Sequence, residues 1–455
     1  MLEGRVVRRS IQWFISRLWL VLLSLFLFAP AYATLTLKVT QGVDRPIPVA
    51  VADFSNSDNS HLNIQGLSEG VAGLIRQNLQ TSGLFSVLER TKMPSFYVNP
   101  AEVNISTWKK TGAESLLVGQ VQLTEAGRYN ISFRLLSVFG QLTSRQIIGE
   151  RYKNIRPGQM RMLANHISDL IYHALTGKQG VFATRIAYVQ LDRERTAYQL
   201  LVADADGYNP RTLLKQSQPI MAPTWSPNGQ YLAYVSFEDK TMSIWISDLV
   251  SGKRRKISSV DGINSAPAWS PDGSRLALAL SKAGSAETNI YVINLNTGKR
   301  KQITRGYAIN TSPAWSPDAK SLIFTSNRGG SPQIYQYDFS TRQIVRLTYQ
   351  GSYNADARFL PNGQGVVMMH QVIADGQTRF NIAHLNLATG EFRVLTHGYN
   401  DESPTVAPNG QMILYTKDRG GNTMLAEVSL DGRVHLNLPS GNGYVRAPAW
   451  GPFSS

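Results

Sequence analysis

Two stretches of this 455-residue chain carry side chains that could do chemistry. Near residue 160, Met162, His166, Asp169 and His173 fall along one side of an expected helix. Two imidazoles and a carboxylate are metal ligands by type. Metal pairs on helices usually stand at i and i+4, whereas these histidines are seven apart with one carboxylate between them, so this side reads as a polar solvent face. The second stretch is "PAWSPDG" (Pro267–Gly273), which returns as "PTWSPNG" from Pro223, "PAWSPDA" from Pro313 and "PAWGP" from Pro448. An aspartate written once per repeat invites a catalytic reading. Yet Asp272 is replaced by Asn228, Asn362 and Asn409 in other copies. Asparagine makes the same turn but cannot act as an acid.

Other reaction types leave no mark. There is no H-E-x-x-H helix and no Walker loop. Cysteine is absent, which excludes disulfides, thiolate metal sites and cysteine nucleophiles. The seven histidines fall in no recognisable motif. Carboxylate pairs for glycoside chemistry form in space and give no linear signal. No cofactor is assigned, and a binding module remains. The competing class is an exported propeller hydrolase or lyase acting on cell-wall or extracellular glycans.

The repeat predicts the elements that position these residues. Its aromatic marker falls at Trp225, Trp269, Trp315, Phe359, Val406 and Trp450, in steps of 44, 46, 44, 47 and 44 residues. Each step holds four short strands, the size of a β-propeller blade. Within the phrase, Ala268 and Trp269 face opposite sides of an innermost strand. Pro271, Asp272 and Gly273 then turn the chain into the second strand. "RIAYV" (Arg185–Val189) matches a second strand with no marker before it, and Trp450 is a marker with no strand after it. Closing one with the other gives six blades and removes the sheet edges.

Before the propeller the pattern mixes strands and helices. "LTLKVT" and "IPVAVADF" read as strands, and Leu67, Val71, Leu74, Ile75 and Leu79 as a helix face. "SLLVGQVQL", "YNISFRLLSVF" and "RQIIGERYKNI" read as an antiparallel meander. A helix follows from about Gln159 to Gly177. The fold class expected is mainly β, a six-bladed β-propeller at 181–455 preceded by a small α/β domain at 34–180.

Arginines up to Arg17, an apolar run and the small residues Ala31 and Ala33 read as a signal peptide over 1–33, cleaved between Ala33 and Thr34. The alternative is an uncleaved anchor. No later segment is apolar enough to span a membrane. The net charge of +15 falls to about +12 without the leader. The densest basic run, "KRRK" (Lys253–Lys256), is read as the solvated edge of an outer strand, not as a nucleic-acid footprint.

The connections entering the inner strands share one face of the ring. They include "DGINSA", "GYAINTS", "GSYNADA", "GYNDES" and "GNGYVRA", with Tyr307, Tyr353, Tyr399 and Tyr444 recurring. The tyrosines either form a protein-binding rim or pack between blades.

These residues resemble a known family. "GVDRPIPVAV", "GVFATRIAYV" and the blade phrases with their truncated last copy are similar to the TolB family of the Gram-negative Tol–Pal system, over the whole chain after the leader. The resemblance implies a periplasmic, non-catalytic protein, monomeric on its own, that supports outer-membrane integrity and cell division. It implies that the propeller face binds the peptidoglycan-associated lipoprotein Pal, and that the mature N-terminal segment binds the C-terminal domain of TolA. Colicin-type toxins are further partners of the family. Carried over by position, the Pal face here is Ile263, Asn264, Ala266, Asn310, Thr311, Tyr353, Asn354, Glu402 and Arg446. The TolA arm is Thr34, Leu35, Thr36, Leu37, Lys38, Val39 and Thr40. As a strand-former, the arm suits addition to a partner's sheet edge. Pal binding is expected to alter access to it.

Overall fold

The computed structural model describes residues 46–55, 70–96, 98, 103–140, 145–440 and 443–453. The expected leader, its cleavage point, the arm Thr34–Thr40 and the polar loop after Ser55 lie outside the described residues. The α/β region runs β1 (Ile47–Val51), α1 (Gly70–Thr81), β2 (Phe85–Val87), α2 (Ile105–Lys109), β3 (Ser115–Leu123), β4 (Tyr129–Ser137), β5 (Gln146–Ile155) and α3 (Met160–Thr176). The sheet order is β2-β1-β3-β4-β5. β1 is parallel to both neighbours, and β3, β4 and β5 form the expected meander.

The alternation in β1 explains the two layers. Val49 and Val51 pack under α1 and α3, while Ala50 and Ala52 face Ile105 and Trp108 of α2. α1 and α3 are joined by a buried polar contact, in which Asn78 donates to Asn165 at 2.9 Å and to Ser168 at 3.0 Å. β2 and α2 were not anticipated. Three and five residues are too short for a periodic signal, and α2 is set by Asn104, whose side chain accepts from the Ser106 amide.

The propeller has six four-stranded sheets. The inner strands of blades 1 to 6 are Tyr444–Trp450, Ile220–Trp225, Asn264–Trp269, Asn310–Trp315, Asn354–Phe359 and Asp401–Val406. The last strand of the chain pairs antiparallel with Arg185–Leu191, placing Trp450 opposite Ile186. The ring therefore closes by joining its two ends.

The marker tryptophans tie neighbouring blades together. The indole of Trp225 donates to Ala449 O at 3.1 Å, that of Trp269 to Thr224 O at 3.2 Å and that of Trp315 to Ala268 O at 3.1 Å. Each bond runs to the inner strand of the preceding blade, so the indole fills the gap between blades and also satisfies its own N–H. Phe359 and Val406 fill the same place without a donor.

The turn behaves as its composition demands. Asp272 accepts the Ser274 amide at 3.1 Å, Asn228 the Gln230 amide at 3.1 Å and Asn362 the Gln364 amide at 3.0 Å. Gly273 sits at φ 71°. In blade 4 Ala319 holds this left-handed position at φ 58°. The Ser270 hydroxyl, which donates to Asp272, holds that carboxyl below the usual carboxylate range. Asp272 is thus an ionised turn residue.

The α/β region packs on blades 1 and 6. Arg161 of α3 pairs with Asp204 at 3.2 Å and with Asp206. Asn409 of blade 6 donates to Gln179 O at 3.0 Å. Asp169 requires a correction, because it is not on a solvent face. Its two oxygens accept the amides of Phe182 and Ala183 at 2.8 and 3.0 Å, fixing the segment that leads into blade 1. A side chain at Gly180 would meet Asp169 at 2.3 Å, so only glycine lets the chain pass there. Burial pushes the Asp169 carboxyl up to about 6 against the pull of those two amides.

Candidate partner-binding face

The start of each inner strand lies opposite the end of the second strand and beside the start of the third, as Asn264, Leu280 and Asn289 do in blade 3. Entry loops and hairpins therefore emerge on one face. The α/β region contacts turns at the opposite ends of the strands, so this face is left uncovered by it.

Three residues before each marker the inner strand bulges. Ala222, Ala266, Ser312, Asp356, Ser403 and Ala447 take φ between 48° and 55°. The register shifts there in all six blades. A left-handed non-glycine residue is costly, by about 1–3 kcal/mol, and such strain concentrates where it re-aims side chains. These six residues line a central channel of about 940 Å³. Alanines stand on blades 1, 2 and 3 and polar residues on blades 4, 5 and 6, so the ring has an apolar half and a polar half.

Five residues before the marker sits a clamp. Asn264 donates to Val260 O at 2.7 Å and accepts from Ser258 at 2.7 Å. Asn310 donates to Thr288 O at 2.9 Å and accepts from Arg328 at 2.8 Å. Asn354 donates to Gln350 O at 2.7 Å and meets His370 Nδ1 at 2.8 Å. All three side chains are fully buried. Of the residues expected on the Pal face, these three are therefore buried, and their hydrogen bonds hold the loops in shape.

Blade 6 places Asp401 in the same position. Its Oδ2 accepts the Gly398 amide at 3.1 Å, but its Oδ1 is buried with no partner. Asn381 of blade 5 also donates to Oδ2, at 3.4 Å, so the donor at this position comes from the neighbouring strand. Burial pushes the carboxyl up from its ordinary value.

The other expected contact residues do reach the face or the channel. Ile263 and Arg446 are exposed, and Ala266, Thr311, Tyr353 and Glu402 are half-buried. The tyrosines divide. Tyr307 is 99% and Tyr399 63% exposed. Tyr353 packs edge-on to Phe380, with ring centroids 5.3 Å apart, and Tyr444 lies under Arg195 at 4.4 Å. Burial, then the charges of Asp356 and Glu402, raise the Tyr353 hydroxyl. Ile309, half exposed beside Tyr307, was missed. Its signal was available, since it occupies the place of Ile263 one blade on.

The channel carboxylates are tied to neighbours. Asp356 pairs with Arg358 at 2.8 Å, and Glu402 accepts from Asn400 at 2.7 Å. Among the described residues no three His, Asp or Glu side chains group as a metal site. The face offers exposed apolar and aromatic anchors around a strained, polar-edged mouth, which is the make-up of a protein-binding surface.

Comparison with known proteins agrees with this architecture. Residues 172–454 match the TolB beta propeller domain, and residues 35–143 match the TolB amino-terminal domain. Among curated relatives, "Tol-Pal system protein TolB" of Alcanivorax borkumensis is 42% identical, over 93% of this chain and 94% of its own length. The protein of the same name from Coxiella burnetii is 43% identical, over 95% of this chain and 97% of its own. The crystal structure of TolB from Acinetobacter baumannii superposes with a TM-score of 0.80 at 35% identity, covering 90% of this chain and 97% of that one. In sequence and in fold, the chain belongs to the TolB family.

Proposed function

We propose that this protein is a periplasmic adaptor of the Tol–Pal envelope system and not an enzyme. Its entry-loop face binds a Pal-type, peptidoglycan-associated lipoprotein of the outer membrane. Its arm, Thr34 to Thr40, is freed by cleavage after Ala33 and binds the C-terminal domain of inner-membrane TolA. The protein thereby links the two membranes during constriction and keeps the outer membrane intact. Colicin-type toxins are further partners.

The observation that carries this reading is that Ile263, Tyr307, Ile309 and Tyr399 are all exposed on entry loops of the face that the α/β region leaves open. Exposed apolar and aromatic anchors beside polar groups are the residues that bury on association. Ala266 and Thr311 offer a small-residue approach to the channel mouth, and Glu402 and Arg446 set the orientation of a partner through charge. The arm adds a strand to its partner's sheet. Binding at the face alters access to the arm.

A pull-down from a Gram-negative envelope tests it. Recovery of a peptidoglycan-associated lipoprotein is expected. Turnover of cell-wall glycan with no partner recovered would favour the enzyme instead.

A further inference from the structure

The outer strands of the propeller are unequal in charge. Blade 2 carries Lys253, Arg254, Arg255 and Lys256, and blade 3 beside it carries Lys299, Arg300 and Lys301. Blades 4 and 5 have one cation each in the outer strand, Arg346 and Arg393. All seven cations on blades 2 and 3 are exposed. Arg254 pairs with Glu238 and Lys256 with Asp239. Among the described residues, Lys253, Arg255, Lys299, Arg300 and Lys301 have no ion-pair partner. Five free cations, on the outer strands of two adjacent blades and the turns that enter them, form a basic side wall.

Two more observations say what it fits. Val250, at the tip of the turn entering the blade 2 strand, is 85% exposed. The turn is held rigid, because the Val250 and Ser251 amides both donate to Asp248, at 2.8 and 3.1 Å. An aliphatic tip beside a row of cations matches the boundary between headgroups and acyl chains. The aromatic ring of the wall is covered: Trp245 lies beneath Arg254 at 4.7 Å and Lys256 at 5.1 Å. That ring is closed to stacking bases, and the outer wall of a ring of blades offers no groove to track a duplex.

From this arrangement we infer that the side wall of blades 2 and 3 docks on an anionic bilayer, with phosphatidylglycerol-type headgroups meeting the five free cations and Val250 entering the interface. The surface is separate from the entry-loop face, so either reading can fail alone.

The test is sedimentation with vesicles, using protein expressed from Thr34 onward, which retains every described residue. At about 50 mM salt the protein binds vesicles containing phosphatidylglycerol and not vesicles of phosphatidylcholine alone. Binding falls away near 0.5 M salt, where the screening length is only a few ångströms. A cation at an anionic surface contributes about five-fold in partition, so K253Q/R255Q/K299Q/R300Q/K301Q weakens binding by at least 100-fold. V250S weakens it a few-fold. If the variant with five substitutions melts early, K299Q/R300Q/K301Q is used, with at least about a 30-fold loss expected. Equal binding by wild type and variants, or no preference for phosphatidylglycerol, overturns the inference. So does tighter binding to duplex DNA than to vesicles at matched phosphate.

Discussion

The indole nitrogen of Trp450 donates to the Thr184 hydroxyl at 2.9 Å, across a separation of 266 positions in the chain. The Trp450 amide also donates to Thr405 of blade 6 at 3.1 Å. One residue therefore binds the last inner strand both to the residue leading into the strand that begins the ring and to the blade before it. Trp450→Ala should cost about 3–5 kcal/mol, through lost packing and the cavity left behind. Trp450→Phe keeps most of the bulk and leaves the Thr184 hydroxyl without its donor, for about 1–2 kcal/mol. Urea unfolding of the two variants checks this order.

Ala319 sits where the other copies of the turn have glycine, at φ 58°. Its left-handed backbone costs about 1–2 kcal/mol, against a smaller entropic penalty for glycine in the unfolded chain. Ala319→Gly should therefore stabilise the protein by roughly 0.5–1 kcal/mol. A rise in melting temperature is the expected readout.

The latch between the two regions consists of Arg161 with Asp204 and Asp206, and of Asp169 with the amides of Phe182 and Ala183. Asp169→Ala leaves two amides without their acceptor, at about 1–3 kcal/mol. It should also separate the unfolding of the α/β region from that of the propeller. Calorimetry should resolve two transitions in the variant where the wild type shows one.

Asp401 predicts a pH dependence. Its folded-state pKa is raised above the ordinary carboxylate value, so its contribution is fully present below about pH 4. That contribution is lost as pH rises through the raised value, because ionisation puts a charge on a buried carboxyl whose Oδ1 has no hydrogen-bond partner. Asp401→Asn restores the donor that Asn264, Asn310 and Asn354 supply in their blades. The variant should gain about 1–3 kcal/mol over wild type at neutral pH, and the gap should close on acidification. Melting curves from pH 4 to 8 measure it.

Much of this was legible because repetition amplifies weak signals. Six copies at 44–47 residues gave the blade count, and the two incomplete ends gave the closure. The turn role of Asp272 followed from the asparagines that replace it. What escaped was set by three-dimensional neighbours. The indole bonds of Trp225, Trp269 and Trp315 reach the previous blade, which no local pattern records. The burial of Asn264, Asn310 and Asn354 depends on loops folding back over them. Asp169 shared a helix side with exposed Met162, His166 and His173, and only the packing of residues 180–183 distinguishes it. The left-handed ring could have been read from its fixed offset before the marker, but its alanines and serines carry no left-handed preference of their own.

The central claim is that the entry-loop face binds a Pal-type lipoprotein. Calorimetric titration with the soluble domain of such a lipoprotein, for wild type and for Ile263→Glu/Thr311→Arg, tests it most directly. Both side chains are surface-accessible, so the melting temperature should stay within a few degrees of wild type. The wild type should bind, and the variant should bind at least 100-fold more weakly, as loss of a hot spot demands. Undiminished binding by the variant, or no binding by the wild type, would contradict the claim.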